Sequence, residues 1–349
     1  MTNATHRGHA ALPTGRASIR DVAARAGVSV TTVSHTLNGT RFVSEQAKAK
    51  VHEAAHALGY VPSEIARGLK HNTTRTLGML VPNNSNPYFA EIIRGVEHHS
   101  YAAGFSLLLC NSNDDPQQQA DHLRVLAERR VDGIVLVASG HDDAIVAVCK
   151  DLRLPLVLVD LEIESIAVDL IEVDHAAGGD LATEHLLGLG HQRVACIVGP
   201  SDLRPSHQRE AGWRRALGKA GIEPRPDECV RGDFGPESGA AAMRRLLHSP
   251  QRPTAVFVCN DMMAIGALHA AHEAGISVPD QMSIVGFDDI ELAAYTSPPL
   301  TTVAQPKEAI GTGAAGLLLE RLREGRVEPR RTVLQPALHL RASTAPPRA

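Results

Sequence analysis

The chain has 349 residues, 43% of them hydrophobic and 21% charged, with a formal charge of −4. That length is long for one domain and suits a small head on a two-lobed body. No apolar run approaches a membrane span and residues 1–17 lack the apolar stretch of a secretory signal, so neither a membrane protein nor a secreted receptor is expected.

Residues 1–17 read as a disordered arm. From Ser18 to Val61 the pattern is helical. Ser18 and Asp21 form an S-x-x-D capping pattern, and Ile19, Val22, Ala23 and Ala26 give a first helix one apolar face. Gly27 breaks it as a tight turn requires. Ser29 can cap a second helix carrying Val30, Val33 and Leu37 inward. Thr31, Thr32, Ser34 and His35 are left on its outer face, with Asn38 and Arg41 just beyond. Short polar groups of this kind suit the floor of a DNA major groove. Ser44 opens a third helix, with Ala47, Val51, Ala54, Ala55 and Leu58 facing the first two.

A solvated three-helix bundle with no ligand would show the same pattern. Charge argues for DNA. The first 71 residues hold nine Lys or Arg and four Asp or Glu, a net of +5; with −4 for the whole chain, the remainder carries −9. A basic head on an acidic body is the footprint of phosphate contact by the head alone. Residues 62–70 then offer one or two helical turns, too short to be stable alone and needing a partner helix or DNA to order, with Arg67 and Lys70 as further DNA-contact candidates.

From Thr76 onward short apolar runs alternate with amphipathic stretches. TLGMLVP, FSLLLCN, DGIVLVAS and PLVLVD read as buried parallel strands; NPYFAEIIRGVEHHSYAAG and PQQQADHLRVLAERR read as helices between them. After about Asp174 the pattern restarts with RVACIVGP, CVRGDF, TAVFVCN and MSIVGFDD. The fold class is therefore a small all-α head plus an α/β body of two doubly wound lobes, with a ligand crevice where strand C-termini face each other.

Polar groups and aromatics recur beyond these strand ends: Asn86, Tyr88 and Phe89, then Asp160, Arg209, Phe234, Asn260, Asp288 and Gln305. Singly, each has a bland account, because Asp or Asn after a strand often caps the next helix and Phe is often core. Jointly they suit a sugar. Carboxylates and a guanidinium bind vicinal hydroxyls, and aromatic faces cover the C–H side of the ring.

Enzyme signals are weak, and neither a cofactor nor a metal is expected. GTGAAG at Gly311–Gly316 matches a dinucleotide fingerprint, but it lies inside PKEAIGTGAAGLLLERL, which reads as one continuous helix whose small residues allow close packing. Asp114 and Asp115 read as a helix start. Five scattered cysteines (Cys110, Cys149, Cys196, Cys229 and Cys259) suggest a reducing cytoplasm and packing roles. Most of the eighteen histidines read as solvated or capping groups.

The motifs D-V-A-x-x-A-G-V-S, T-T-V-S-H, A-L-G-Y-x-P-S and A-R-x-L, in this order, resemble the LacI/GalR family of bacterial repressors, and the resemblance runs from Ser18 to about Leu340. It implies a helix-turn-helix domain at 18–61 and a hinge helix at 62–73. It also implies a body at 74–340 similar to periplasmic sugar-binding proteins, and leaves a flexible tail at 341–349. In the family a hinge leucine, here Leu69, wedges into the minor groove at the centre of a palindromic operator. Gly68 departs from a good helix former by up to about 1 kcal/mol relative to Ala, so the hinge depends more on DNA for its order. Three crossings between lobes return the C-terminal segment to the first lobe. The ending LHLRASTAPPRA lacks the apolar heptads of the family's tetramers, which favours a homodimer.

Runs such as GGDLAT, RGDF-x-x-x-x-G, GFDDIELA and PPLTT-x-x-QPK are most similar to the ribose-responsive branch, which implies D-ribose as effector and release from DNA on binding. The nine crevice residues match the ribose-binding pattern one by one. Leu161 departs from it, standing where an Arg follows the strand-end Asp. The competing implication is a purine effector, but Leu203 and Pro205 stand where the purine-responsive branch has an Arg and a Thr. A sugar-binding protein with no regulatory role is the remaining alternative.

Overall fold

Local capping sets the frame of the head. In the computed structural model, which describes residues 17–61, 73–137, 143–163 and 165–348, the Ser18 hydroxyl accepts the Asp21 amide while the Asp21 carboxylate accepts the Ser18 N–H at 2.8 Å. This opens α1 (Ile19–Ala26), which ends at Gly27 with φ +65°. Helices α2 (Val30–Asn38) and α3 (Glu45–Ala57) follow. Val22, Ala23, Ala26, Val33, Val51, Ala54 and Ala55 form the head's core, with Leu37 and Leu58 at its edge. Val30, expected inward, is 42% exposed. It is the first residue of α2, and the inward stripe starts one turn later at Val33. Most of the expected arm and hinge, with Arg67, Leu69 and Lys70, lies outside the described residues. The head, up to Thr74, and the body, from Arg75, are separate units.

In the body, β1 (Thr76–Val81), β2 (Ser106–Asn111), β3 (Gly133–Val137), β4 (Leu156–Val159), β5 (Asp169–Val173) and β11 (Arg331–Leu334) form one parallel sheet in the order β11-β5-β4-β3-β1-β2. The second sheet, β12-β10-β9-β8-β6-β7, joins β6 (Val194–Val198), β7 (Cys229–Arg231), β8 (Ala255–Val258), β9 (Ser283–Asp288), β10 (Thr301–Ala304) and β12 (Ala337–His339). Only its β12 runs antiparallel, along β10. Helices α4 (Pro87–Ala102), α5 (Pro116–Glu128), α6 (Asp143–Asp151) and α11 (Lys307–Glu324) belong to the first lobe. Helices α7 (His175–Gly188), α8 (Arg204–Lys219), α9 (Pro236–Leu247) and α10 (Asp261–Glu273) belong to the second. Strands of continuous Val, Ile and Leu arise because helices cover both faces of each sheet. Strand β2 is the exception. It was expected buried, yet as a sheet edge it leaves Leu108 and Leu109 36% and 39% exposed.

The chain passes between lobes three times, after Val173, Ala304 and Leu334, so α11 and β11 do return to the first lobe. The expected flexible tail is corrected: β12 and the residues after it go back to the second lobe. The Arg341 guanidinium donates to Asp289 Oδ1 at 2.7 Å. The fully buried Ser343 hydroxyl accepts the Thr301 amide at 2.8 Å and donates to the Ile284 carbonyl at 2.6 Å. The Pro- and Ala-rich composition suggested disorder, but these polar groups satisfy backbone that the second sheet would otherwise leave unpaired.

Candidate functional site

Two surfaces gather the candidate residues. On the head, Ser29 is the N-cap of α2. Its Oγ accepts the Thr32 amide at 3.0 Å and lies 2.8 Å from Thr32 Oγ1. These two hydroxyls are thus engaged in holding the helix start. Thr31, Ser34, His35 and Asn38 follow at i, i+3, i+4 and i+7, which puts them on one helical face. His35 Nδ1 lies 2.7 Å from Thr40 Oγ1, tying that face to the turn before α3, and the Asn38 amide donates to Ser34 Oγ at 3.3 Å. Arg41 is exposed in the same turn. Phe42 beside it, which sequence reasoning passed over, is 94% exposed.

The second surface lies where strand ends of the body converge. Asp160, Phe234 and Asp288 all have left-handed backbone, with φ of +54°, +70° and +108°. Each such non-glycine residue costs about 1–3 kcal/mol, and strain of this kind collects at functional sites. Asp160 Oδ1 accepts the Val173 amide at 3.0 Å and lies 3.1 Å from His175 Nε2, off the line of a hydrogen bond. Burial alone would raise the Asp160 pKa. His175, the Val173 amide and Arg209 outweigh it and hold the carboxylate below its usual range. Burial lowers the pKa of His175 against the pull of Asp160.

Arg209 Nε donates to His175 Nδ1 at 3.3 Å, which places the histidine proton on Nε2, toward Asp160. The same guanidinium donates through Nη1 to the Cys259 carbonyl and lies 3.6 Å from Asp288 Oδ1. It also stacks 3.9 Å from the centre of the Phe287 ring and 5.8 Å from that of Phe234. Asp288 Oδ1 accepts from Gln305 Nε2 at 2.7 Å, and Gln305 Oε1 accepts the Tyr88 hydroxyl at 3.1 Å. Burial pushes the Asp288 carboxyl up to about 6 although Arg209 and Gln305 pull it down. One buried chain of polar contacts thus runs Asp160–His175–Arg209–Asp288–Gln305–Tyr88 and joins the two lobes.

The other candidates stand around it. Phe89 packs edge-on against Tyr88, with ring centres 5.0 Å apart. Asn260 donates to the Phe234 carbonyl at 3.0 Å. Asn86 and Asn260 also do what the bland reading said: their side chains cap α4 and α10, accepting the Tyr88 amide at 3.0 Å and the Met263 amide at 2.9 Å. Leu161 is buried in the apolar cluster of the first lobe. Leu203 and Pro205 form the start of α8, where no side chain caps the helix.

Sequence reasoning missed His175, Phe287 and Lys307. His175 is a correction to the reading of the histidines as mostly solvated. It is 1% exposed, and its signal was a histidine directly after the strand-like run DLIEVD. Lys307 Nζ donates to the Asp288 and Asp289 carbonyls at 2.7 and 2.6 Å and braces the strained turn between them. The arrangement gathers buried carboxylates, a guanidinium, amides and ring faces at one place in the body.

A lacI-family model of bacterial regulatory proteins matches residues 18–63, and a periplasmic binding protein-like domain model matches residues 183–344. The HTH-type transcriptional repressor PurR of Photobacterium profundum is 43% identical over 328 residues, spanning 94% of this chain and 98% of that protein. The ribose operon repressor of Escherichia coli is 42% identical over 328 residues, spanning 94% and 99%. Among solved structures, the lac repressor dimer bound to operator and an anti-inducer is similar at TM-score 0.85 with 29% identity, covering 95% of this chain and all of that one. A LacI family regulator from Enterococcus faecium with bound ribose is similar at TM-score 0.70 with 33% identity, covering 78% of this chain and 100% of that one. The chain belongs to the lacI family of bacterial regulatory proteins and is a DNA-binding transcriptional repressor, not an enzyme.

Proposed function

We propose that this repressor acts in the cytoplasm as a homodimer on a palindromic operator and is released by a small sugar, D-ribose, bound between the lobes. The observation that carries the sugar is the buried polar chain from Asp160 to Tyr88, flanked by Phe89 and Phe234. A polyol offers alternating donors and acceptors that such a chain can pair without leaving a buried group unmatched. Thr31, Ser34, His35 and Asn38 read base edges in each half-site, Arg41 holds phosphate, and Ser29 and Thr32 fix the helix start that presents them. Leu69, with Arg67 and Lys70, enters the minor groove at the operator's centre. The sugar releases DNA because it favours one lobe arrangement over the other; without that difference in affinity there would be no switch.

Overall identity does not choose the effector, since the relatives named for purine and for ribose differ by a single percentage point. The purine reading is favoured by PurR relatives from several organisms, at 42–43% identity. The ribose reading is supported by the site, where Leu203 and Pro205 remove two polar groups suited to a base. Calorimetric titration with D-ribose and with hypoxanthine separates them. Saturable heat with ribose at one site per chain supports the sugar. Heat with hypoxanthine and none with ribose would move the protein to the purine branch and strip Asp160 and Gln305 of their roles.

A further inference from the structure

Arg204 opens α8 in the second lobe, but its guanidinium reaches the first. Nη1 lies 2.7 Å from Glu162 Oε2 and 3.3 Å from Glu172 Oε2. Arg331 of the first lobe takes the other oxygen of each carboxylate. Its Nε donates to Glu172 Oε1 at 2.6 Å and its Nη1 to Glu162 Oε1 at 3.0 Å. Two carboxylates and two guanidinium groups alternate in a ring, and Arg204 is its member from the second lobe.

We propose that Arg204 is a positioning residue that latches the second lobe onto the first beside the crevice, raising effector affinity without touching the effector. Glu162 is two residues from Asp160. Glu172 directly precedes Val173, whose amide Asp160 accepts. The ring therefore braces the two segments that hold the Asp160 carboxylate. The Glu172 side chain is only 7% exposed, so an unpaired charge there would be costly. Arg331 already pairs it from within the first lobe. Removing Arg204 consequently removes this one tie between the lobes without orphaning a buried charge. Arg204 and Glu162 are 38% and 33% exposed, so salt screens their attraction. An effector that requires the latched arrangement binds in proportion to how often that arrangement is populated.

The affinity role rests on the crevice being the effector site; the lobe contact does not, and two measurements keep them apart. The first is hydrogen–deuterium exchange of the full chain, wild type against Arg204→Ala, at low and at high salt. At low salt the amides of residues 160–163 and 169–173 are expected to exchange about two to five times faster in the variant, as a partly exposed ion pair allows. At high salt the two proteins converge, and α9 and α10 stay unchanged throughout. Glu162→Gln shifts the same amides in the same direction. Equal exchange in wild type and Arg204→Ala at low salt overturns the latch. The second is calorimetry with D-ribose, where Arg204→Ala is expected to bind about two to five times more weakly at low salt and equally at high salt. Unchanged affinity overturns the affinity role. If the wild type takes up no ribose, the sugar reading fails and the exchange comparison alone decides the latch.

Discussion

Arg209 illustrates how one side chain can hold structure and also stand in a proposed binding site. It fills a donor role toward the Cys259 carbonyl and His175, and presents charge to Asp288. Arg209→Ala should abolish the effector response, with affinity down at least about 100-fold, and leave DNA binding intact. It should also cost about 1–3 kcal/mol of body stability because the carbonyl loses its partner. Calorimetry, thermal melting and operator binding check the three parts. Loss of DNA binding as well would make Arg209 a structural residue only. Asp288 gives a pH signature. Its carboxyl is pushed up to about 6 in the fold, against about 4 in an unfolded chain. Between these values the folded chain keeps a proton that the unfolded chain has released. The group's stabilising contribution is therefore complete below pH ~4 and lost as pH rises through ~6. Asp288→Asn, a neutral isostere, should raise the melting temperature by a few degrees at pH 7.5, and this gain should shrink toward pH 4.5. An equal gain at both pH values would refute the burial account. Asp160 works in the opposite sense, because its lowered pKa makes its contribution vanish on acidification.

Helix pairs of the body meet through glycine. A Cβ on Gly311 of α11 would sit 2.4 Å from the Ile92 carbonyl of α4 and 3.0 Å from the Cα of Gly95. Pairs of the same kind join α7 to α8 at Gly179 and Gly212, and α9 to α10 at Gly239 and Gly266. This explains the GTGAAG run without a nucleotide. It lies inside α11, and its first glycine is where two backbones touch. Gly311→Ala should destabilise the first lobe by roughly 1–3 kcal/mol or more, because the obstacle is backbone and cannot rotate away. Gly316→Ala, in the same motif, meets only His99 Nε2 at 3.8 Å and should be neutral or stabilising by up to about 1 kcal/mol. Denaturant melts of the two variants decide the point; similar losses in both would mean that the motif matters for some reason other than packing.

For the whole molecule, the proposed dimer needs an apolar surface, and the body leaves Tyr101, Leu292 and Tyr295 bare at 75%, 49% and 77% exposure. Leu292 and Tyr295 share the short turn Glu291–Tyr295, and an exposed apolar patch, rather than a single residue, is what marks an association surface. Tyr295→Asp is expected to shift sedimentation from dimer toward monomer and weaken operator binding at least about tenfold, since two half-sites are then no longer bound as one unit. An unchanged sedimentation coefficient would place the interface elsewhere.

How much of this was legible in the sequence differs by kind of interaction. Caps, turns and periodicity are local, so Ser18, Asp21, Gly27 and Ser29 announced the head, and continuous apolar runs announced both sheets. The crevice candidates were visible because they follow strand ends, and Tyr88, Asp160, Arg209, Asp288 and Gln305 do meet there. What the sequence could not give was who pairs with whom across distance. His175 looked like any helical histidine until burial set it between Asp160 and Arg209. The last residues looked disordered until Ser343 found its partners in the second sheet. Local order follows from neighbours along the chain. Burial, buried pairing and the cross-lobe ring of Arg204 and Arg331 depend on residues that only the tertiary fold brings together.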